Sequence, residues 1–205
     1  MPITTYAELK SKIQTWGKRT DSVSLIDDFI DLAEADIWAS LRIREMEARA
    51  TATVSTSSRF LELPDNYLEM RRFKIDHASI GDTELTFRAP TSLIVIDSAG
   101  MPCFYTVTTQ IEFDRVPDDD YTVEMEYYRK LTALSGSATS NAVLTNYPMI
   151  YLSGALRYFY LWAEDETNGL KYEKIFYGLI AETNLKNKRG QYGPAPTIIM
   201  GYPIA

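Results

Sequence analysis

Asp27, Asp28 and Asp31 spell DDxxD within LIDDFIDLAEAD. Carboxylates at i and i+4 of a helix share one face, where they can hold a magnesium ion and through it a diphosphate. That chemistry needs a second acidic cluster opposite the first across a large all-helical cavity, and the middle of this chain reads as strand instead. Acids in a first helical turn also complement the helix dipole, so a solvated acidic face is the plainer assignment. Asp118, Asp119 and Asp120 form a second acidic run, but without the alternating ligands, glycine bend and closing glutamate of a calcium loop. The single histidine, His77, has no ligand set around it for zinc, and neither GxSxG nor a glycine-rich phosphate loop precedes a helix. No acid and base stand out as a pair, so the expectation is a chain with no catalytic residue, no metal site and no cofactor.

The acidic residues sit on a helix opening at Ser22 or Ser24, with Ile26, Phe29, Ile30, Ala33, Ile37 and Leu41 on one stripe. Asp27, Asp28, Asp31, Glu34 and Asp36 fall largely off it, and Asp31 is expected in solvent. Before it, Thr5 and Glu8 form a capping box for a helix from Thr4 or Thr5 to Trp16, with Tyr6, Leu9, Ile13 and Trp16 at helical spacing and Gly17 as the stop. The stretch around which the chain is organised is NYPMIYLSGALRYFYLWAED, Asn146 to Asp165. Asn146 is a candidate cap, Pro148 suits a first turn, and from Pro148 to Ala163 only Arg157 is charged. Leu152, Ala155, Leu156, Phe159, Trp162 and Ala163 make one stripe, and Ile150, Gly154, Tyr158 and Leu161 fill the opposite side. A helix apolar nearly all round is buried, and Phe159 and Trp162 are the expected anchors of the bundle. A membrane span needs about 20 predominantly apolar residues, and Ser153, Arg157 and four tyrosines interrupt this run. A fourth helix is expected from about Thr167 to Arg189, with Tyr172, Ile175, Phe176, Leu179 and Ile180 as its stripe. Lys186, Lys188 and Arg189 complement its negative end, and Gly190 suits the left-handed position beyond it.

From about Arg49 to Lys130 the period changes to that of strands. ATATV, RFLEL, MRRFKI, TELTF, CFYTVTT, QIEFDRV and YTVEMEYYRK are the candidates. In the last, Tyr121, Val123, Met125 and Tyr127 alternate with Thr122, Glu124, Glu126 and Tyr128, the pattern of a half-buried antiparallel strand. PDDD, Pro117 to Asp120, is its expected hairpin turn; PTSLIVIDSAG is open between short helix and strand. LSGSATSN, Leu134 to Asn141, is a polar connector back to helix. The expected fold class is α+β: a four-helix bundle with an antiparallel β-domain inserted between the second and third helices. The expected divisions are residues 1–46 and 134–190 for the two halves of the bundle, 47–133 for the β-domain and 191–205 for an extended tail.

With 205 residues and 45% hydrophobic side chains, the chain can bury a core without covalent staples. Its lone Cys103 cannot form an internal disulfide, and the opening MPITTYAELKSK lacks a signal peptide's apolar run, so synthesis in a reducing cytoplasm is expected. A net charge of -7 opposes general attraction to nucleic-acid phosphates. Basic residues gather only in small groups: Lys10 with Lys12, Lys18 with Arg19, Arg71 with Arg72, and Lys186 with Lys188 and Arg189. Tyrosines crowd the second half (Tyr127, Tyr128, Tyr147, Tyr151, Tyr158, Tyr160, Tyr172 and Tyr177) and suit both core packing and protein interfaces. The tail QYGPAPTIIMGYPIA has no side chain charged at neutral pH, and its prolines and glycines oppose helix. Tyr192, Ile198, Ile199, Met200, Tyr202 and Ile204 therefore form a candidate partner-binding segment that docks in extended form on a neighbouring subunit or another protein, or folds back on its own domain.

Taken in order, TYAELKSKIQTW, LIDDFIDLAEADIWASLRIREME, RFLELPDNYLEMRRFKI, GMPCFYTV, IEFDRVP, YTVEMEYYRKLTALS and NAVLTNYPMIYLSGALRYFY resemble the head-to-tail adaptor proteins of tailed phages, especially short-tailed ones. The resemblance implies a structural virion protein of the neck: a ring of twelve copies joining the portal to the tail nozzle or tail fibre proteins, with DNA passing through its channel without specific binding. It carries over no catalytic residue and implies no membrane contact. The competing classes are a magnesium-dependent enzyme using Asp27, Asp28 and Asp31, and a soluble binding module whose β-block holds a small ligand or peptide.

Overall fold

The structure, a computed structural model, describes residues 3–19, 22–76 and 81–192. The chain divides into two compact units, one drawn from both ends (Met1–Arg44 and Thr132–Ala205) and one from the stretch between (Glu45–Leu131). The whole is α+β, with five α-helices and two sheets rich in antiparallel pairs.

In the helical unit α1 (Tyr6–Gly17) opens on the expected capping box: Thr5 Oγ1 accepts from the Glu8 N–H, and Glu8 accepts from the Thr5 N–H. A short 3₁₀ turn, Val23–Leu25, leads into α2 (Ile26–Ser40), whose Ile26, Ile30, Ala33 and Ile37 are fully buried. After the β-unit comes α3 (Ala142–Asn146), capped by the Asn141 side chain accepting from the Leu144 N–H. This short helix lies between the connector, which ends at Asn141, and the long helix expected from Asn146, and periodicity gives no sign of it because five residues are too few to show a stripe. α4 (Pro148–Trp162) follows with Pro148 in its first turn, but Tyr147 rather than Asn146 stands at its cap and no side chain caps it. Two turns in its first half, Ile150 to Leu156, are buried on every side, packed by α1, α2 and α5 (Glu166–Tyr192).

That close packing depends on two missing side chains. A Cβ at Gly17 would lie 2.4 Å from Cζ of Phe159, and one at Gly154 would lie 2.9 Å from Cε2 of Phe176 and 3.0 Å from Cβ of Ala33. Gly17 is thus the last helical residue of α1, and the left-handed conformation expected at a helix stop falls on Lys18 (φ 55°). The turn from α4 to α5 also uses a left-handed residue, Glu164 (φ 57°). There the Asp165 N–H donates to the Tyr160 carbonyl and the Glu164 N–H to the Leu161 carbonyl, the paired bonds of a Schellman stop. Asp165 then caps α5 through the Asn168 N–H.

Three expectations about these helices change. Phe159 is fully buried, but Trp162 is 39% exposed, because α4 has by then run past the helices that cover its earlier turns. It lies against the rings of Phe29 and Phe159 with Arg19 over its outer face, a rim rather than an anchor. Trp16 is likewise exposed. Gly190 is not a left-handed stop, since α5 continues through it to Tyr192. The buried stripe of α5 also extends further than its apolar residues: Phe176 and Ile180 are followed by buried Thr183 and Asn187. Asn184 accepts from the Arg42 N–H and donates to the Ser40 carbonyl, while Asn187 accepts from the Arg44 N–H. These amides hold the chain where it leaves α2.

In the β-unit all seven expected windows contain strands: β1 (Glu47–Val54), β2 (Phe60–Leu61), β3 (Tyr67–Asp76), β4 (Thr83–Glu84), β5 (Thr86–Phe87), β6 (Phe104–Val107), β7 (Ile111–Phe113) and β8 (Tyr121–Arg129). TELTF supplies both β4 and β5, because the chain changes sheets at buried Leu85. One sheet has the order β1-β8-β3-β4 and is antiparallel throughout; the other, β2-β7-β6-β5, ends in a parallel pairing of β5 with β6. The β-unit is therefore not purely antiparallel. Phe73 packs edge-on to Tyr105 and stacks with Phe113, joining the two sheets across a core that also holds Val54, Ile75, Val123 and Met125. PDDD is not a hairpin turn: β7 and β8 belong to different sheets, and residues 114–120 carry the chain between them. PTSLIVIDSAG is neither helix nor strand beyond a single 3₁₀ turn, Pro90–Ser92, and it leaves Ile94, Val95 and Ile96 exposed.

Candidate docking surface

Three acidic residues of α2, Asp27, Glu34 and Asp36, are bonded to tyrosines. Asp27 accepts from the Tyr6 hydroxyl at 2.7 Å and pairs with Lys10 at 2.6 Å, and its bond to that ammonium holds the carboxyl below the ordinary aspartate value. Glu34, expected off the buried stripe, is buried. One of its oxygens accepts from the Tyr151 hydroxyl and from the Leu134 N–H, both at 2.8 Å, while burial pushes its carboxyl above the ordinary range. Asp36 accepts from the Tyr158 hydroxyl at 2.6 Å and from Arg157. Three carboxylates of one helix thus each receive a tyrosine hydroxyl. For Tyr151 and Tyr158 the sequence signal was present as the excess of tyrosines in the second half, but nothing in a single sequence pairs them with acids 117 and 122 residues away.

Asp27, Asp28 and Asp31 are all exposed, and of the three Asp27 is the one held by Tyr6 and Lys10. Among the described residues no group of three or more histidine, cysteine, aspartate or glutamate side chains is placed to hold a metal ion. In the acidic link of the β-unit, Asp118 accepts from the Tyr121 hydroxyl and Asp119 from the Asp120 N–H. His77 lies outside the described residues, and Cys103 is an exposed free thiol.

Several basic residues are paired with acids. Arg71 pairs with Glu47 at 2.7 Å, Lys186 with Glu182 at 2.6 Å, and Lys74 with both Asp82 and Glu124. Arg49 and Arg59 meet Glu126 and Glu112.

An open surface with a shape of its own lies in the helical unit, along α4 and α5 near the turn that joins them. Tyr158, Tyr160, Leu161, Glu164, Leu170 and Tyr177 line a cleft of about 730 Å³ there, with the Arg157 and Asp36 pair at its margin. Leu161 is 70% exposed and Leu170 57%, while Tyr160 stacks on Tyr172 with ring centroids 5.4 Å apart. An uncovered apolar floor edged by tyrosine hydroxyls suits a protein contact. Of the expected partner-binding residues, Tyr192 closes α5, and Ile198, Ile199, Met200, Tyr202 and Ile204 lie outside the described residues. Among the described residues no helix is long and apolar enough to cross a membrane.

Fold and surface together define a mixed α+β protein with ion pairs in both of its units and an open apolar cleft that suits contact with protein. The chain belongs to the SU10 adaptor protein family, whose model matches residues 4–197. Membership makes it a phage structural adaptor, a component of the virion that works through contacts with other phage head and tail proteins. Comparison with curated proteins gives no match.

Proposed function

We propose that the protein is the head-to-tail adaptor of a phage neck: a ring of twelve copies that joins the portal to the tail nozzle or tail fibre proteins and surrounds the DNA exit channel. The observation that carries this is the family match over residues 4–197, nearly the whole chain. The helices α1, α2, α4 and α5 are taken as a four-helix bundle and the β-unit as an insertion into it. The aromatic and apolar residues left open on a chain of this size support a role in assembly. The tail from Gln191 to Ala205 would dock on a neighbouring subunit or on the portal through Tyr192, Ile198, Ile199, Met200, Tyr202 and Ile204.

Electron microscopy of the purified protein mixed with its portal tests the proposal. A ring of the chain seated on one face of the portal is the expected image; portals that stay bare at micromolar protein overturn it. Chains lacking Gln191 to Ala205 are expected to melt as the full chain does yet fail to seat.

A further inference from the structure

The cleft between α4 and α5 has a floor of leucine and tyrosine and no cover. Besides Leu161 and Leu170, Tyr177 is 44% exposed, and Glu164, Glu166 and Glu173 stand around the opening. An acidic segment would be repelled by that rim, whereas a segment without charge meets no such penalty. The chain carries one: QYGPAPTIIMGYPIA has no side chain charged at neutral pH and concentrates its large aliphatic residues at Ile198, Ile199 and Met200.

Length decides which copy such a segment could serve. From Leu170 to Tyr192 along α5 the distance is about 33 Å, at roughly 1.5 Å per helical residue. A fully extended chain covers at most about 3.5 Å per residue, so Ile198 to Met200 reach only about 21 to 28 Å back from Tyr192. They stop short of Leu170 and further short of Leu161 in their own chain. Resting on the adaptor-ring reading, we propose that the α4 to α5 cleft of each copy receives Ile198 to Met200 from the tail of a second copy. In extended backbone, Ile198 and Met200 point to one side and meet Leu161 and Leu170, while the tyrosine hydroxyls and the rim carboxylates receive backbone N–H groups. The contact is head-to-tail, tail of one copy to cleft of the next, and such contacts close into rings when the rotation permits.

Directed cross-linking on portal-bound protein tests this. In full-length chains carrying Cys103→Ser, which removes the only native cysteine, Met200→Cys chains are mixed with Leu170→Cys chains on their portal and mildly oxidised. A disulfide joining two different adaptor chains is expected, and Met200→Cys with Leu170→Cys in one chain should give linked multimers. A closed monomer from the double variant, cross-links to the portal alone, or rings without any cross-link would each overturn the inference. A second measurement uses Leu161→Asp with Leu170→Asp, both at exposed positions. Melting should be unchanged, while the protein concentration needed for ring formation rises at least tenfold. Rings forming at the original concentration would reject the cleft and leave the adaptor reading intact, whereas wild-type chains that never gather on the portal would reject both.

Discussion

A methyl group on Gly17 or Gly154 has nowhere to go, which reverses the usual effect of alanine in a helix. Ordinarily glycine to alanine in a helix interior gains about 1 kcal/mol. Here the added carbon meets Phe159 in one case and Phe176 with Ala33 in the other, and overpacking of this kind costs about 1 to 3 kcal/mol. Gly17→Ala and Gly154→Ala are therefore expected to lower the midpoint of urea unfolding, and a rise in either would show that the aromatic rings yield freely. Phe159→Ala empties the same contact and should cost about 3 to 5 kcal/mol. Glu34 makes a second prediction, of pH dependence. Burial raises its carboxyl in the folded state, so between the ordinary glutamate value and that raised value the native protein binds more protons than the unfolded chain. Its contribution is fully present below the ordinary value and is lost as pH rises through the raised one. Glu34→Gln, which keeps an acceptor for Tyr151 and the Leu134 N–H, should flatten that slope in stability measured from pH 4 upwards; an identical slope in the variant would assign the effect elsewhere.

At the scale of elements, the turn between α4 and α5 places an ordinary residue where glycine is favoured. Glu164 holds φ at 57° with its side chain exposed, at a cost of about 1 kcal/mol relative to glycine. Glu164→Gly should raise the thermal midpoint by a few degrees, and a drop would mean that the carboxylate contributes more than its backbone costs. Such local deviations mark the boundary of what one sequence discloses. The capping box, the long helices and all seven strand windows were legible because each is a local pattern of spacing or polarity. The exposure of Trp162 was not, since it depends on where the covering helices end. Nor could alternation show that TELTF divides between two sheets, or that β7 and β8 lie in different ones. Gly190 illustrates the opposite error: a residue suited to ending a helix does not end one while the turn around it continues. The candidate site was the least legible, because the cleft arises from how α4, α5 and the turn between them pack, which no local pattern in the sequence discloses.

At the scale of the molecule, charge bears on passage of DNA. The net charge is -7, and Arg49, Arg59, Arg71 and Lys74 of the β-unit are all paired with glutamates or an aspartate. If the proposed ring surrounds DNA, a channel wall built from such a chain would be acidic or neutral, so the purified protein should show no tight, salt-sensitive binding of duplex DNA at physiological ionic strength. A gel-shift at submicromolar protein that disappears with added salt would contradict this. The division of the chain has another effect, on the order of events during synthesis. Glu34 of α2 receives its bonds from Leu134 and Tyr151, so α1 and α2 emerge from the ribosome well before the residues that complete their core. At about 5 to 20 residues per second, the interval between the end of α2 and the start of α4 is roughly 5 to 20 s. The β-unit, contiguous in the chain, has every partner it needs within that time, whereas Ile26, Phe29, Ile30 and Ile37 wait uncovered. Nascent chains stalled before Pro148 should be the ones that chaperones hold and proteases cut, and the cuts should fall in the first two helices.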